Sequence, residues 1–140
     1  MESLRQTLHD TGCSLVLRDS EGTESLYYKK GVRDLIWLLD NEPEKLRGAQ
    51  IADKVIGKAA AALVVLGGVK ELYADVLSRL ALRFLNDSGI VYTFGEIVDR
   101  IIIPEGDSRC PLEEIVLPAT DPQEAEKLLR DHFREMAGKQ

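Results

Sequence analysis

An α/β domain is what this sequence predicts, on three observations. Short β-prone runs alternate with longer helical stripes along the chain, as in residues 13–28 and 31–39. The composition, 44% hydrophobic and 30% charged over 140 residues, is that of a globular chain able to bury one ordinary core. No repeat, linker or low-complexity tract divides it, so a single domain over residues 1–140 is expected.

Leu4 and Leu8, at helical spacing before Asp10-Thr11-Gly12, predict an opening helix that Gly12 stops. Cys13-Ser14-Leu15-Val16-Leu17-Arg18 and Thr23-Glu24-Ser25-Leu26-Tyr27-Tyr28, joined by a polar turn with Gly22, predict a hairpin. Val32, Leu35, Ile36, Leu38 and Leu39 form a helical stripe that ends near Asn41-Glu42-Pro43. Residues 51–66, alanine-rich and closed by Gly67-Gly68, predict one central helix with charges only in its first two turns.

Residues 69–77 alternate like a strand, and Ser78 is placed to cap a helix over residues 80–85, which Asn86-Asp87-Ser88-Gly89 ends. Residues 90–94 predict a strand broken by Gly95, and 101–103 a further short edge strand. Pro111 stands just inside a helix start, and Asp121-Pro122 opens a last helix with Ala125, Leu128, Leu129, His132, Phe133 and Met136 on its apolar face.

The 18 basic residues are outnumbered by 24 acidic ones, for a net charge of -6, and they are scattered rather than gathered in a stripe. Nucleic acid is therefore not the expected partner, because phosphate backbones are held by clustered cations. The longest apolar run, 59–66, is too short to span a bilayer, and Met1-Glu2-Ser3-Leu4-Arg5 leads into no apolar signal core. A cytoplasmic protein without membrane contact is expected, and nothing opposes a homo-oligomer. Cys13 and Cys110, far apart and without a CxxC partner, read as free thiols rather than as a disulfide or metal site.

Gly57-Lys58 invites comparison with a P-loop, but Ala52 stands at the first glycine position and Ala59 where a magnesium-binding hydroxyl belongs. Asp53, Lys54 and Lys58 carry two readings. In one, Asp53 caps the central helix and the lysines are a solvated edge. In the other, a helix N-terminus with an acid, a lysine and Gly57 accepts a small ligand, Lys58 neutralising an anion. Cys110, next to Pro111 at a helix start, is placed for thiolate character, which Glu113 and Glu114 oppose; burial as an inert thiol is the plainer outcome. Cys13, in a strand run, reads as structural. His132 reads as a satisfied core histidine. No Gly-x-Ser-x-Gly elbow presents a serine nucleophile.

The order of elements, with Asp53-Lys54-Val55-Ile56-Gly57-Lys58-Ala59-Ala60-Ala61 and Cys110-Pro111-Leu112-Glu113, resembles domain of unknown function family 1893 over nearly the whole chain. That resemblance implies a cytidine deaminase-like fold, a three-layer α/β/α domain around a central mixed sheet. The zinc deaminase signature, His-x-Glu and Pro-Cys-x-x-Cys at successive helix starts, is missing. Gly57-Lys58-Ala59 and Ser78-Arg79-Leu80-Ala81-Leu82 stand in its place, so zinc-dependent deamination is not expected, and neither a metal nor another cofactor is implied.

The leading expectation is a non-deaminating domain that binds a small nucleoside-like or anionic ligand, of nucleotide or ADP-ribose type. Asp53, Gly57, Lys58, Cys110 and Glu113 are its expected contacts, sharing one concave surface. One alternative is an enzyme with Cys110 as nucleophile or redox thiol. Another is an interaction module with a vestigial pocket.

Overall fold

The computed structural model describes residues 1–28, 32–101 and 112–138. Helix α1 (Glu2–Thr11) buries Leu4 and Leu8 completely and ends at Gly12, whose φ of 72° is left-handed. The hairpin follows as β1 (Leu15–Arg18) and β2 (Glu24–Tyr27), paired antiparallel with Leu15 opposite Tyr27 and Arg18 opposite Glu24. Next come α2 (Arg33–Asn41) and α3 (Pro43–Leu46), a short helix that the proline opens rather than forbids.

The stretch expected to be one long helix divides into two elements. Residues Gln50–Ile56 are strand β3, and helix α4 begins only at Lys58 and runs Lys58–Gly67. Strand β3 pairs antiparallel with β1, Asp53 opposite Leu15, and parallel with β4 (Glu71–Ser78), Asp53 opposite Ala74. Between helices on both faces of the sheet, β3 buries Ile51 and Asp53 on one side and Ala52 on the other, so residues 51–53 show no alternation and the pattern merges with the alanines after Gly57.

Ser78 caps as expected: its Oγ accepts from the Leu80 amide at 3.1 Å and starts a 3-10 turn, Arg79–Ala81, that leads into α5 (Leu82–Ser88). Strand β5 (Val91–Val98) then pairs parallel with β4 and runs straight through Gly95, which does not break it. A Cβ on Gly95 would lie 2.9 Å from the Asp75 carbonyl oxygen, so the strand passes at a distance that only glycine permits. Ile101 lies outside any strand, and residues 102–103 of the expected further strand fall outside the described residues. Helices α6 (Leu112–Val116) and α7 (Pro122–Gly138) complete the chain.

The sheet order is β2-β1-β3-β4-β5, an open mixed sheet in which β3, β4 and β5 are mutually parallel. Helices lie on both faces. Leu4 and Leu8 of α1 pack with Cys13, Val16, Ala52 and Tyr73 on one face. The residues that alternate with these, Leu15, Leu17, Ile51, Leu72 and Ala74, form the larger core on the other face with α2 to α7. The layers are thus α1, the sheet, and the remaining helices. Ala59, Ala60, Ala61 and Ala62 are all buried in α4, where small side chains let α5 and α7 approach closely.

Candidate functional site

Three of the five expected contacts meet at the start of α4. Gly57 is its N-cap and Lys58 its first residue, and the Glu113 carboxylate, carried in by α6, accepts from the Lys58 amide through Oε2 at 2.9 Å. Glu113 Oε1 accepts from the Ile101 amide as well. Gly57 leaves room for this: a Cβ there would stand 3.0 Å from Glu113 Cγ and Oε2. The position where a helix N-terminus ordinarily holds an anion is therefore filled by the chain's own carboxylate.

The Lys58 side chain does not reach a cleft. It is buried, and Nζ donates to the carbonyl oxygens of Leu117 and Ala119, each at 2.8 Å, with the Phe84 ring centroid 5.4 Å away. Burial, then the Arg83 charge, hold its ammonium below the ordinary lysine range, against the pull of Glu124 and Glu113. A solvated edge and an anion-neutralising arm are both replaced by an internal tie between α4 and the α6–α7 connection. Lys54 does reach outwards, to the Gly12 carbonyl oxygen at 3.2 Å.

Asp53 stands apart from this cluster. It is no helix cap but a strand residue, buried on the face it shares with Ile51, Leu15 and Ala74. Burial pushes its carboxyl up to about 7, and the negative charges of Asp34 and Asp75 add to the effect; the Val55 amide, donating to Oδ1 at 3.2 Å, and the Lys54 amide oppose it. Asp34, buried in the first turn of α2, is the acid that sequence reading missed. It sits inside an amphipathic stripe, and only the tertiary packing of α2 on the sheet brings it towards Asp53.

Cys110 lies outside the described residues. Cys13 is fully buried and its sulfur is 3.1 Å from Thr11 Oγ1. His132 is only partly buried, its ring tilted 59° against Phe133, and its Nε2 finds no hydrogen-bond partner among the described residues; the expectation of a satisfied histidine is not met. The face under α1 holds a second polar group that spacing did not announce. Asp75 Oδ1 lies 2.8 Å from His9 Nε2 and accepts from the Tyr73 hydroxyl at 2.7 Å, while the Arg5 guanidinium lies 4.5 Å above the Tyr73 ring centroid.

Two cavities are lined by none of Asp53, Gly57, Lys58 and Glu113. One, of 240 Å³, lies between α4, α5 and the start of α7, against Val65, Phe84, Asp87 and Thr120. The other, of 280 Å³, lies between α2 and α7 beside Arg33, Trp37, Asp40 and Phe133. Among the described residues no group of three His, Cys, Asp or Glu is arranged to hold a metal ion, and no helix is long and apolar enough to cross a membrane.

A family model described as Domain of unknown function (DUF1893) matches residues 3–133. The crystal structure of a DUF1893 family protein from Thermotoga maritima is similar over 94% of this chain and 88% of that one, with a TM-score of 0.81 and 25% sequence identity. No curated protein matches the chain.

Proposed function

The chain belongs to the DUF1893 family, a domain of unknown function, and we propose from its own geometry that it binds a small neutral ligand of nucleoside type, without deaminating it, beside Asp53. The observation that carries this reading is the Asp53 carboxyl, buried on a parallel strand and pushed up to about 7. At neutral pH such a group is present in both forms and so both donates and accepts hydrogen bonds, as recognition of a ribose diol or a base edge requires. Open α/β sheets take their ligands beyond the carboxyl ends of the parallel strands, the end at which Gly57 and Ser78 lie, and Asp53 stands midway along β3.

Charge favours the nucleoside-like ligand over the anionic one. Asp34 and Asp53 are both buried acids, and the α4 N-terminus that would hold a phosphate carries Glu113 instead. On this reading Gly57, Lys58 and Glu113 are the frame that fixes the start of α4, and Asp53 with Asp34 makes the polar contacts.

Titration of ¹⁵N-labelled protein with adenosine, cytidine and uridine, and separately with their 5′-monophosphates, tests it. Amide shifts should centre on Asp53, Lys54, Val55 and the first turn of α2, without tighter binding of the monophosphates and with the nucleosides recovered unchanged. Shifts that need the phosphate, or no response at these amides, would sink the reading.

A further inference from the structure

Among the described residues β2 and β5 are the edges of the sheet, and they are built differently. Strand β2 is four residues long, and its Glu24 pairs with Arg18 of β1 at 3.2 Å, a short edge with a charge that discourages further pairing. Strand β5 is eight residues long, contains no proline or lysine, and exposes Val91 by 61% and Phe94 by 42%. Its one charged residue is Glu96.

The Val91 amide donates at 3.2 Å to the carbonyl oxygen of Lys70, the residue just before the inner neighbour β4. Backbone groups alternate sides along a strand, so Val91, Thr93, Gly95 and Ile97 bond towards β4 while Tyr92, Phe94, Glu96 and Val98 turn their amides and carbonyls outwards. An antiparallel partner strand must match outward residues with outward residues.

We propose that β5 is a self-pairing edge, at which a second copy of this chain adds antiparallel about a two-fold axis at Phe94 and extends the sheet across both protomers. In that register Phe94 faces its own counterpart, Val91 faces Ile97, Thr93 faces Gly95, and Glu96 faces Tyr92. The exposed apolar residues are matched with apolar ones on each face, and Glu96 never meets its own copy. Centring the axis on Gly95 instead sets Phe94 against Glu96 and Val91 against Asp99, which pairs apolar surface with charge. The strand's own sequence thus accommodates a second copy of itself in the Phe94-centred register and disfavours the Gly95-centred one, as a two-fold interface, complementary to itself, requires.

Sedimentation of the full chain over a concentration series tests this, together with two variants checked for folding by circular dichroism. The wild type should pass from monomer to dimer, and Phe94→Lys, which sets two like charges at the axis, should weaken association by at least about tenfold. Phe94→Cys should form a disulfide-linked dimer under mild oxidation that the wild type does not form. Hydrogen-bonded antiparallel pairs hold their Cα atoms about 5.5 Å apart, within disulfide reach. This cross-link also decides the case should Phe94→Lys fail to fold. A wild type that stays monomeric to its solubility limit, a dimer untouched by Phe94→Lys and not cross-linked by Phe94→Cys, or an edge that takes up only a foreign extended peptide, overturns the proposal.

Discussion

Asp53 holds its proton to about pH 7 because burial disfavours the carboxylate, with Asp34 adding to it. Its ordinary value is 3.8, so between about 4 and about 7 the folded chain binds more protons than the unfolded one. Stability therefore falls as pH rises through that window, by at most roughly 1.4 kcal/mol per unit, and levels off above it. Asp53→Asn keeps an acceptor for the Val55 amide but cannot ionise. Its stability relative to wild type should start near zero at acid pH and rise to a few kcal/mol by pH 8, read by urea unfolding across the range; an unchanged wild-type slope would place the titration elsewhere. Lys58 makes a different demand. Lys58→Met strips the donor from the Leu117 and Ala119 carbonyls and should cost about 2–4 kcal/mol. Gly57→Ala pushes on a Glu113 side chain held by two amides, and should cost about 1–3 kcal/mol although its backbone conformation suits any residue.

Helix α1 covers its face of the sheet with two leucines, each worth about 1.5–3 kcal/mol of burial. Cys13 lies in the same cluster and is sealed by them, so its thiol reports on whether α1 is docked. Leu8→Ala should speed alkylation of Cys13 at least about tenfold, since loss of a buried leucine costs about 2–5 kcal/mol and α1 has few other apolar anchors. Mass-resolved labelling of the native protein measures this site by site. Labelling of Cys13 that follows only global unfolding, with no extra acceleration in the variant, would show that α1 does not open on its own. Helix α4 lies at the opposite extreme. It is buried from Lys58 to Val64 and packs against several helices, so it should be among the last elements to exchange its amides.

Across the molecule, fold and chemistry separate. The mixed sheet with helices on both faces is shared with a DUF1893 protein of known structure, yet a shared scaffold transfers no reaction. The starts of α4 and of the 3-10 turn after β4 carry Gly57-Lys58-Ala59 and Ser78-Arg79-Leu80. With neither His-x-Glu nor Pro-Cys-x-x-Cys in the chain, the purified protein should contain well under one equivalent of zinc by elemental analysis, and a chelator should leave its melting temperature unchanged. A full equivalent, or a melting point that drops on chelation, would reveal a ligand set the motifs did not announce.

By itself the sequence determined the class of fold, the hairpin, α2, the Ser78 cap and the last helix, because each is written in local signals: alternation, a 3.6-residue stripe, a capping hydroxyl, a proline at a helix start. It grouped Gly57, Lys58 and Glu113 with Asp53 and Cys110; the first three meet at the start of α4, Asp53 stands apart on β3, and Cys110 lies outside the described residues. Tertiary structure alone decided that Gln50–Ile56 is a strand, since helices on both faces of the sheet bury Ile51, Ala52 and Asp53 alike and remove the alternation that would distinguish the segment from the alanine helix beyond Gly57. It decided too that Lys58 points inwards to two carbonyls while Asp53 is left on the sheet with a near-neutral pKa. Burial and charge at a residue are set by neighbours distant in the chain, Leu117 and Ala119 for the one and, for the other, the core around Leu15 and Ala74 that buries it, with Asp34 adding to the effect; no local pattern encodes them.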